Sequence, residues 1–460
     1  MKHKLPRFQI FLLLILAATF PISAVEIGGI NYSLNESTLT AKVDISTSFV
    51  GDCVIPSSVT YEGKSYVVTE IGLYAFRACN GLTSVVIGNS VTTIAHWAFA
   101  YCGSLTSVVI GNSVNYIDNA AFQSCKSLTS INVDSSNLEY ASVDGCLYDK
   151  SVTELIQCPG GKKSVSIPSS VTAIYESSFA GCTNLASINV DSGNPKYASV
   201  DGVLCDKSVA TLFKCPEGKM SVTIPNTITA IRNRAFYGCS SLASVTIPNS
   251  VITIGSEAFA YCRSLASATI PNSVTRISDS AFYGCSSLVS VTIPNSVITI
   301  GSKAFYECSN LASVIIGNSV TDIGRYVFYS CDNLSSVTIG SSVTNIGYCA
   351  FWGCRGLVSV TSLNVVPPLI DDITFYGFKY QDAKLHVPED GFAAYKDADG
   401  WKNFINIDTQ ISGVEDVSAS NAAEAMEYYN LQGMRSTVPW TGLNIVIYSN
   451  GTTRKMLYKE

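Results

Sequence analysis

Leu242-Ala-Ser-Val245-Thr-Ile247-Pro-Asn-Ser-Val251-Ile-Thr-Ile254-Gly-Ser-Glu-Ala258-Phe259-Ala-Tyr-Cys262-Arg-Ser264 is the stretch that decides the fold, because it recurs. Its signature, Phe-x-x-Cys, stands at Phe76/Cys79, Phe99/Cys102, Phe122/Cys125, Phe179/Cys182, Phe236/Cys239, Phe259/Cys262, Phe282/Cys285, Phe305/Cys308, Phe328/Cys331 and Phe351/Cys354. Those ten copies are spaced by 23, 23, 57, 57 and then five times 23 residues. A fixed period of this size is the mark of a repeat architecture. Within one unit, Leu242, Val245 and Ile247 alternate with Ser and Thr as in a short strand, which Pro248-Asn249 ends. Val251 and Ile254 form a second inward stretch that stops at Gly255, and Ala258-Phe259-x-x-Cys262 reads as a compact turn or 3-10 segment. No unit of 23 residues buries that apolar set alone, so like units must stack. The expectation is a mainly β repeat solenoid with short 3-10 or helical turns, its ten layers on the order of 50 Å long at strand spacing.

The pattern L-x-S-V-x-I-P-x-S-V-T-x-I-G-x-x-A-F-x-x-C resembles the BspA-like leucine-rich repeat family of bacterial surface proteins, over roughly residues 71–360. The resemblance implies an exported, cell-surface or secreted protein that attaches to host matrix proteins, other cells or glycans. The Cys here follows Phe rather than the L-x-x-L-x-L run, so a horseshoe with outer helices is not expected.

Two units are longer by 34 residues, near 132–165 and 189–222, and the additions repeat each other: Ser130-Ile-Asn-Val matches Ser187-Ile-Asn-Val, and Tyr140-Ala-Ser-Val-Asp-Gly145 matches Tyr197-Ala-Ser-Val-Asp-Gly202. Asp-Gly between apolar stretches signals a hairpin. Each addition is expected as a β-hairpin pair folded onto the solenoid.

At the N-terminus a basic start (Lys2, Lys4, Arg7), the apolar run Phe8 to Phe20 and a small residue at Ala24 make a secretory signal peptide, residues 1–24, cut after Ala24. The run is too short for a membrane span, which takes about 20 residues. Removing those three from the 29 basic residues leaves 26 against 35 acidic, a net charge near −9. That balance, with 14% charged residues, excludes a nucleic-acid surface, and 47% hydrophobic content excludes a disordered chain. Residues 25–70 alternate as an N-terminal β cap. Residues 361–408 break register at Pro367-Pro368 and end in a short amphipathic helix, Tyr395 to Phe404, resembling the C-terminal cap of the same family. Residues 409–424 read as a linker. Residues 425–460 read as a β module of three strands with an Asn450-Gly451 turn, similar to C-terminal modules of Bacteroidetes-type exported proteins. That similarity implies contact with an export machinery; the alternative is a small β-subdomain with no sorting role.

Sixteen cysteines in an exported chain invite disulfides, yet ten share one repeat position and should form a column of buried thiols, one per turn. Cys53, Cys146, Cys158, Cys205, Cys215 and Cys349 lie outside that column and are the places where a bridge could form. Zinc is not expected, because no Cys-x-x-Cys pair exists. The processed chain keeps only His96 and His386, each read as an ordinary surface or half-buried histidine. Carboxylates do not pair recurrently, and no nucleophile elbow, P-loop or metalloprotease motif occurs. No enzyme, cofactor, metal or transmembrane span is expected.

Repeat proteins act through extended surfaces. The residue after the repeat Phe is aromatic through the C-terminal half: Tyr237, Tyr283, Tyr306, Tyr329 and Trp352, with Tyr261 one position later in its unit. An inward Phe turns its neighbour outward, giving an aromatic stripe suited to a protein or glycan ligand. The alternative is that these rings only shield the Phe-Cys turns. Three functions follow: a binding protein, an envelope scaffold without a dedicated ligand, and a glycan-binding accessory protein.

Overall fold

A computed structural model describes residues 23–409 and, beyond them, the backbone of strands Val414–Asp416, Ala425–Asn430, Arg435–Ser436, Gly442–Tyr448 and Thr453–Tyr458. The signal-peptide reading therefore falls largely outside the described residues; Ala24 itself pairs with Ser33 in the first strand, Ser23–Ile27. The chain is a β-solenoid of about 23-residue spacing. It divides into two compact units, residues up to 162 with 173–181, and residues 163–172 with those from 182 onward.

In the second unit the strands Ser244–Thr246, Ser267–Thr269, Ser290–Ile293, Ser313–Ile316, Ser336–Ile339 and Ser359–Ser362 lie side by side in one parallel sheet. Register follows the repeat, Ser290 facing Ser313, Ser313 facing Ser336, and Ser336 facing Ser359. A one-residue slip would turn every Val and Ile to solvent, so the alternation fixes this register. Two-residue strands such as Thr299–Ile300 and Asp322–Ile323 make a second parallel sheet.

The Phe turns close each layer, and here the structure departs from the expected 3-10 segment. Among the described residues only Glu176–Phe179 is 3-10 at this position. Elsewhere, except before Phe122, the residues two before and two after the Phe have positive φ, as at Glu257 (54°) and Tyr261 (60°) around Phe259. This backbone aims every second N–H at the next layer: Glu257 donates to the Asp279 carbonyl (3.0 Å), Phe259 to Ala281 (2.8 Å) and Tyr261 to Tyr283 (2.7 Å). A 3-10 turn would spend those donors locally and leave the layers unjoined on this side. The Phe rings then stack, Phe259 on Phe282 at 5.2 Å and Phe282 on Phe305 at 5.3 Å, nearly parallel.

The stack runs one ring past the repeat signature, to Phe375, 4.9 Å from Phe351. Trp401 and Phe404 pack at 5.5 Å against that last ring. The C-terminal cap also differs from expectation: strands Lys384–His386 and Asn406–Asp408 extend the main parallel sheet instead of leaving its register. The helix covers only Phe392–Asp397, and Trp401–Asn403 is a separate 3-10 turn after Gly400, whose φ is 76°.

In the first unit, Ser23–Ile27, Ile30–Asn35 and Thr40–Val43 form an antiparallel meander whose last strand pairs in parallel with Lys64–Ile71. Gly51–Ile55 already pairs in parallel with Leu82–Ile87. The expected cap, residues 25–70, thus contains the first solenoid layer. Phe76, Phe99 and Phe122 stack at 5.3 and 5.4 Å, and Phe49 closes their end edge-on at 6.3 Å.

Each addition forms the expected pair of antiparallel hairpins, and its third strand is built into the solenoid as part of a further turn. In the first unit Tyr140–Val143, Cys146–Asp149 and Glu154–Gln157 run antiparallel, and the third strand joins Ala173–Ile174 in parallel. In the second unit Thr211–Lys214 joins Ala230–Ile231 in the same way. The Cys215 N–H donates to the Ala235 carbonyl at 2.7 Å, taking the place of a repeat Phe N–H. Buried asparagines lock these turns: Asn194 Nδ2 donates to the carbonyls of Pro168 and Val171 at 2.9 Å, while its Oδ1 accepts the N–H groups of Lys196 and Tyr197. Asn137 does the same in the first unit. The C-terminal strands form a five-stranded sheet that includes Val414–Asp416, so part of the expected linker is a strand; the Asn450-Gly451 turn lies outside the described residues.

The left-handed positions give a direct test. Glu307, exposed and at φ 55°, occupies the site that Gly284 and Gly353 fill in other repeats. A left-handed backbone costs a non-glycine residue roughly 1–2 kcal/mol, partly offset by glycine's greater unfolded freedom. Glu307→Gly should therefore raise stability by about 0.5–1 kcal/mol in urea unfolding; a lower midpoint would contradict this backbone assignment.

Candidate interaction surface

The backbone after each repeat Phe points the next side chain away from the core, and in the second unit this lines up rings. Tyr283 lies on Tyr306 at 4.7 Å and 5°, Tyr306 on Tyr329 at 4.7 Å and 1°, and Tyr329 on Trp352 at 4.5 Å and 7°. At the other end the rings tilt: Tyr237 meets Tyr261 at 76° and Tyr261 meets Tyr283 at 60°. The cause is local. Ala260, the residue after Phe259, is buried, and Tyr261 reaches the row from the left-handed position beyond it, its ring over Gly284. All six predicted stripe residues are thus brought together, each half-buried. Burial pushes the Tyr283 and Tyr306 phenols up, and the Glu307 carboxylate adds to the shift. Tyr376 extends the row at 6.2 Å from Trp352. The sequence reading missed it because Phe378 stands where the repeat Cys would be.

Stacking covers ring faces, so the row presents edges and phenol hydroxyls rather than flat platforms. It also roofs the Phe turns, as the shielding alternative requires.

The first unit carries a cluster that the sequence reading did not identify. Arg77 sits 5.0 Å from the Trp97 ring centroid and within 5.6 Å of those of Tyr74 and Tyr101. Trp97 and Tyr101 project from the left-handed positions flanking Phe99, not from the residue after it, where Ala100 is buried.

The repeat cysteines have a role that spacing could not reveal. After the first thiol of a regular run, each donates to the carbonyl of the preceding layer's repeat Phe: Cys102 to Phe76 at 2.9 Å, Cys285 to Phe259 at 3.1 Å, Cys354 to Phe328 at 3.1 Å. All sixteen cysteines are free and buried, the six outside the repeat position included.

The expected single column of ten like thiols is corrected at Cys125, Cys182 and Cys239, the three that border the additions. Cys125 ends the first regular run, donating to the Phe99 carbonyl at 3.0 Å. No repeat Phe-x-x-Cys lies 23 residues beyond it; the Pro159-Gly160 turn packs there instead, the α-carbon of Gly160 lying so near the Cys125 carbonyl that a side chain would meet it at 2.7 Å. Cys158 and Cys215 come 33 residues after Cys125 and Cys182 and 24 before Cys182 and Cys239. Each addition thus inserts a layer that ends in its own cysteine, without a repeat Phe beside it. The consequence is plain at Cys239, whose thiol donates to the carbonyls of Cys215 and Pro216 at 3.7 and 3.6 Å and not to a Phe carbonyl. Cys182, with an addition on either side of it in sequence, is buried at the start of the second unit. The ladder is therefore two regular runs, Cys79 to Cys125 and Cys239 to Cys354, with Cys182 apart from both.

His96 is exposed and bonded to Asp118 at 2.8 Å. His386, expected at or near the surface, is buried, with Nδ1 2.6 Å from Asp408 Oδ1, because its strand is an inner member of the sheet. Among the described residues no cluster of His, Cys, Asp or Glu could hold a metal.

These layers match a known family: the model of the BspA type leucine-rich repeat region fits residues 47–160, 155–199, 210–331 and 253–384, in six copies. The chain belongs to the BspA-type leucine-rich repeat family. A leucine-rich cell surface protein of Faecalibacterium prausnitzii is 28% identical over 68% of this chain and 94% of its own, with a TM-score of 0.44. A leucine-rich repeat protein of Bacteroides ovatus is 26% identical over 79% of this chain and 100% of its own, with a TM-score of 0.36. The pneumococcal vaccine antigen PcpA shares the fold at 20% identity, over 85% of this chain and 99% of its own, with a TM-score of 0.50. No curated protein matches the chain. No helix among the described residues of this BspA-type chain is long and apolar enough to cross a membrane.

The buried thiols of the BspA-type layers make stability depend on pH. Burial pushes Cys53, Cys205 and Cys308 up to about 12, and Cys285 and Cys331 move in the same direction for the same cause. The fold keeps these groups protonated while the unfolded chain ionises them, so their stabilisation is full below about pH 8.5 and lost as pH rises from there toward 12. The urea midpoint should fall steadily between about pH 8.5 and 10.5. Maleimide at about pH 7.5 should leave the native thiols unlabelled over hours and label all sixteen in denaturant. A flat pH profile or rapid native labelling would contradict the burial of these thiols.

Proposed function

We propose that this BspA-type protein is exported, resides at the cell surface or in the extracellular space, and binds a macromolecular partner through the aromatic edge of its second unit. The observation that carries this reading is the row from Tyr237 to Trp352, whose members are half-buried side by side with edges and hydroxyls outward. Tyr and Trp supply large contact area at small cost in side-chain entropy. The covered ring faces favour a protein, such as a host matrix protein or a surface protein of a neighbouring cell, over a glycan, which would need open faces. The basic, apolar and small-residue succession at residues 1–24 supports export, and residues 425–460 are assigned here to engage an export machinery.

Replacing Tyr283, Tyr306 and Tyr329 together by Ser separates binding from shielding. On an array of purified extracellular-matrix proteins, and on intact cells, the variant should bind at least tenfold more weakly than the parent while melting within a few degrees of it. Unchanged binding with a large fall in melting temperature would leave the row a purely structural roof. Fractionation of cells expressing the chain without residues 425–460 should find it retained inside the envelope; normal release would remove the sorting role.

A further inference from the structure

The geometry points to a saccharide-binding groove in the second unit, formed where the short-strand sheet ends. Asn345–Ile346 is followed in that sheet only by an isolated bridge from Asn345 to Leu369, directly after Pro367-Pro368. Proline has no N–H with which to extend the ladder, so the next layer is not completed and a recess of about 610 Å³ remains. That volume lies within the roughly 300–1,000 Å³ of small-ligand sites.

Three features of its lining identify the ligand class. First, Tyr348 meets Tyr326 at 77°, so its ring face is not covered as those of the stacked row are, and it is 42% exposed. The open face of an aromatic ring carries negative potential that suits the C–H face of a pyranose. Leu369 and Ile370 add apolar wall beside it. Second, Arg325, Asn345 and Asp371 bring planar polar groups to the same recess. Among the described residues none of these three side chains is engaged in a hydrogen bond or ion pair. Such groups pair with adjacent hydroxyls two bonds at a time, donors from Arg325, acceptors from Asp371 and both from Asn345. Third, the charges are of both signs: Asp371 repels an anion and Arg325 a cation. A neutral sugar, with an apolar face and a hydroxyl edge, satisfies all three. The groove is a different site from the aromatic row, which offers ring edges to a protein, although the Tyr326 ring in its lining meets Tyr329 of the row at 5.8 Å.

The test uses the full processed chain on a printed array of neutral oligosaccharides, namely linear oligomers of glucose, galactose, mannose and N-acetylglucosamine in α and β linkages, with hits measured by calorimetry. At least one oligomer should bind, and Tyr348→Ala and Asn345→Ala should each weaken it tenfold or more. Arg325→Ala, at an exposed position outside the core, serves as the third variant should either of the others lower the melting temperature. The Tyr283/Tyr306 double Ser variant, which keeps Tyr329 against the groove's Tyr326, should keep sugar binding, so that failure of the groove and failure of the row are told apart. No retention of any neutral oligomer at millimolar concentration would overturn the proposal, as would retention that survives Tyr348→Ala and Arg325→Ala. Preference for acidic oligosaccharides added as controls would overturn the neutral assignment.

Discussion

Everything in this protein depends on the vertical alignment of like residues from one layer to the next. A layer on its own leaves Val, Ile, Leu and Phe side chains open above and below, and its backbone donors face nothing. Placing an identical layer 23 residues further on covers both at once: Val291 lies beside Val314 in the sheet, Phe282 beneath Phe305 in the turn, and the Phe282 N–H reaches the Ala304 carbonyl at 2.8 Å. Stability is then a sum of layer and interface terms. The stacked ring pairs contribute on the order of 0.5–1.5 kcal/mol each beyond area burial. The ends of such a column are its weak points, and each unit places large aromatic residues at an end of its own ring stack, Phe49 edge-on in the first unit and Trp401 with Phe404 in the second.

The same alignment explains the cysteine. A thiol is small enough to repeat at every regular layer without overpacking and is a weak donor, and the buried Phe carbonyl above it accepts that donor while also accepting the local Cys N–H. Serine would fit the volume but would demand stronger partners than one shared carbonyl gives. The sulfur is therefore a packing and hydrogen-bonding element rather than half of a bridge. Where an addition interrupts the run, as before Cys239, the thiol keeps its burial and turns to the carbonyls that the inserted layer supplies.

What could be read from sequence was whatever repeats with period 23: the strand alternation, the inward Phe and Cys, and the outward neighbour that forms the row. What could not be read depends on backbone geometry or on single residues. The alternating left-handed turn has no composition of its own, since Gly284, Glu307 and Tyr261 all occupy it. Both additions were recognised, but their third strands and Cys158 or Cys215 pass for hairpin and loop until the parallel pairing to Ala173–Ile174 or Ala230–Ile231 is seen. Reading them as appendages also made Cys125, Cys182 and Cys239 look like successive rungs, although their 57-residue spacing already left room for a further layer between them. Asn137 and Asn194 carry a signal that was present in the matching additions; only their four-bond geometry distinguishes a buried lock from an ordinary turn residue. Phe375 lacked its Cys, and the Arg77 cluster projects from positions flanking the Phe rather than following it. The family resemblance stated from the repeat agrees with the match to the BspA-type model over well more than half of the chain.

Strict repetition also limits what a surface can recognise. Where the layers are regular, outward side chains stack on their own copies, as Tyr306 does on Tyr329, and the ring faces that could have held a flat ligand are consumed by neighbours. Such a surface is long, uniform and edge-presenting, which suits a partner that spans several layers. Distinct recesses require a break in the period, and in the second unit the break comes where Pro367-Pro368 halts the short-strand sheet beside the exposed Tyr348 ring. Order in this protein thus builds the scaffold and its extended edge, while the interruption of order supplies the concavity and the polar groups, not engaged among the described residues, that a small ligand needs.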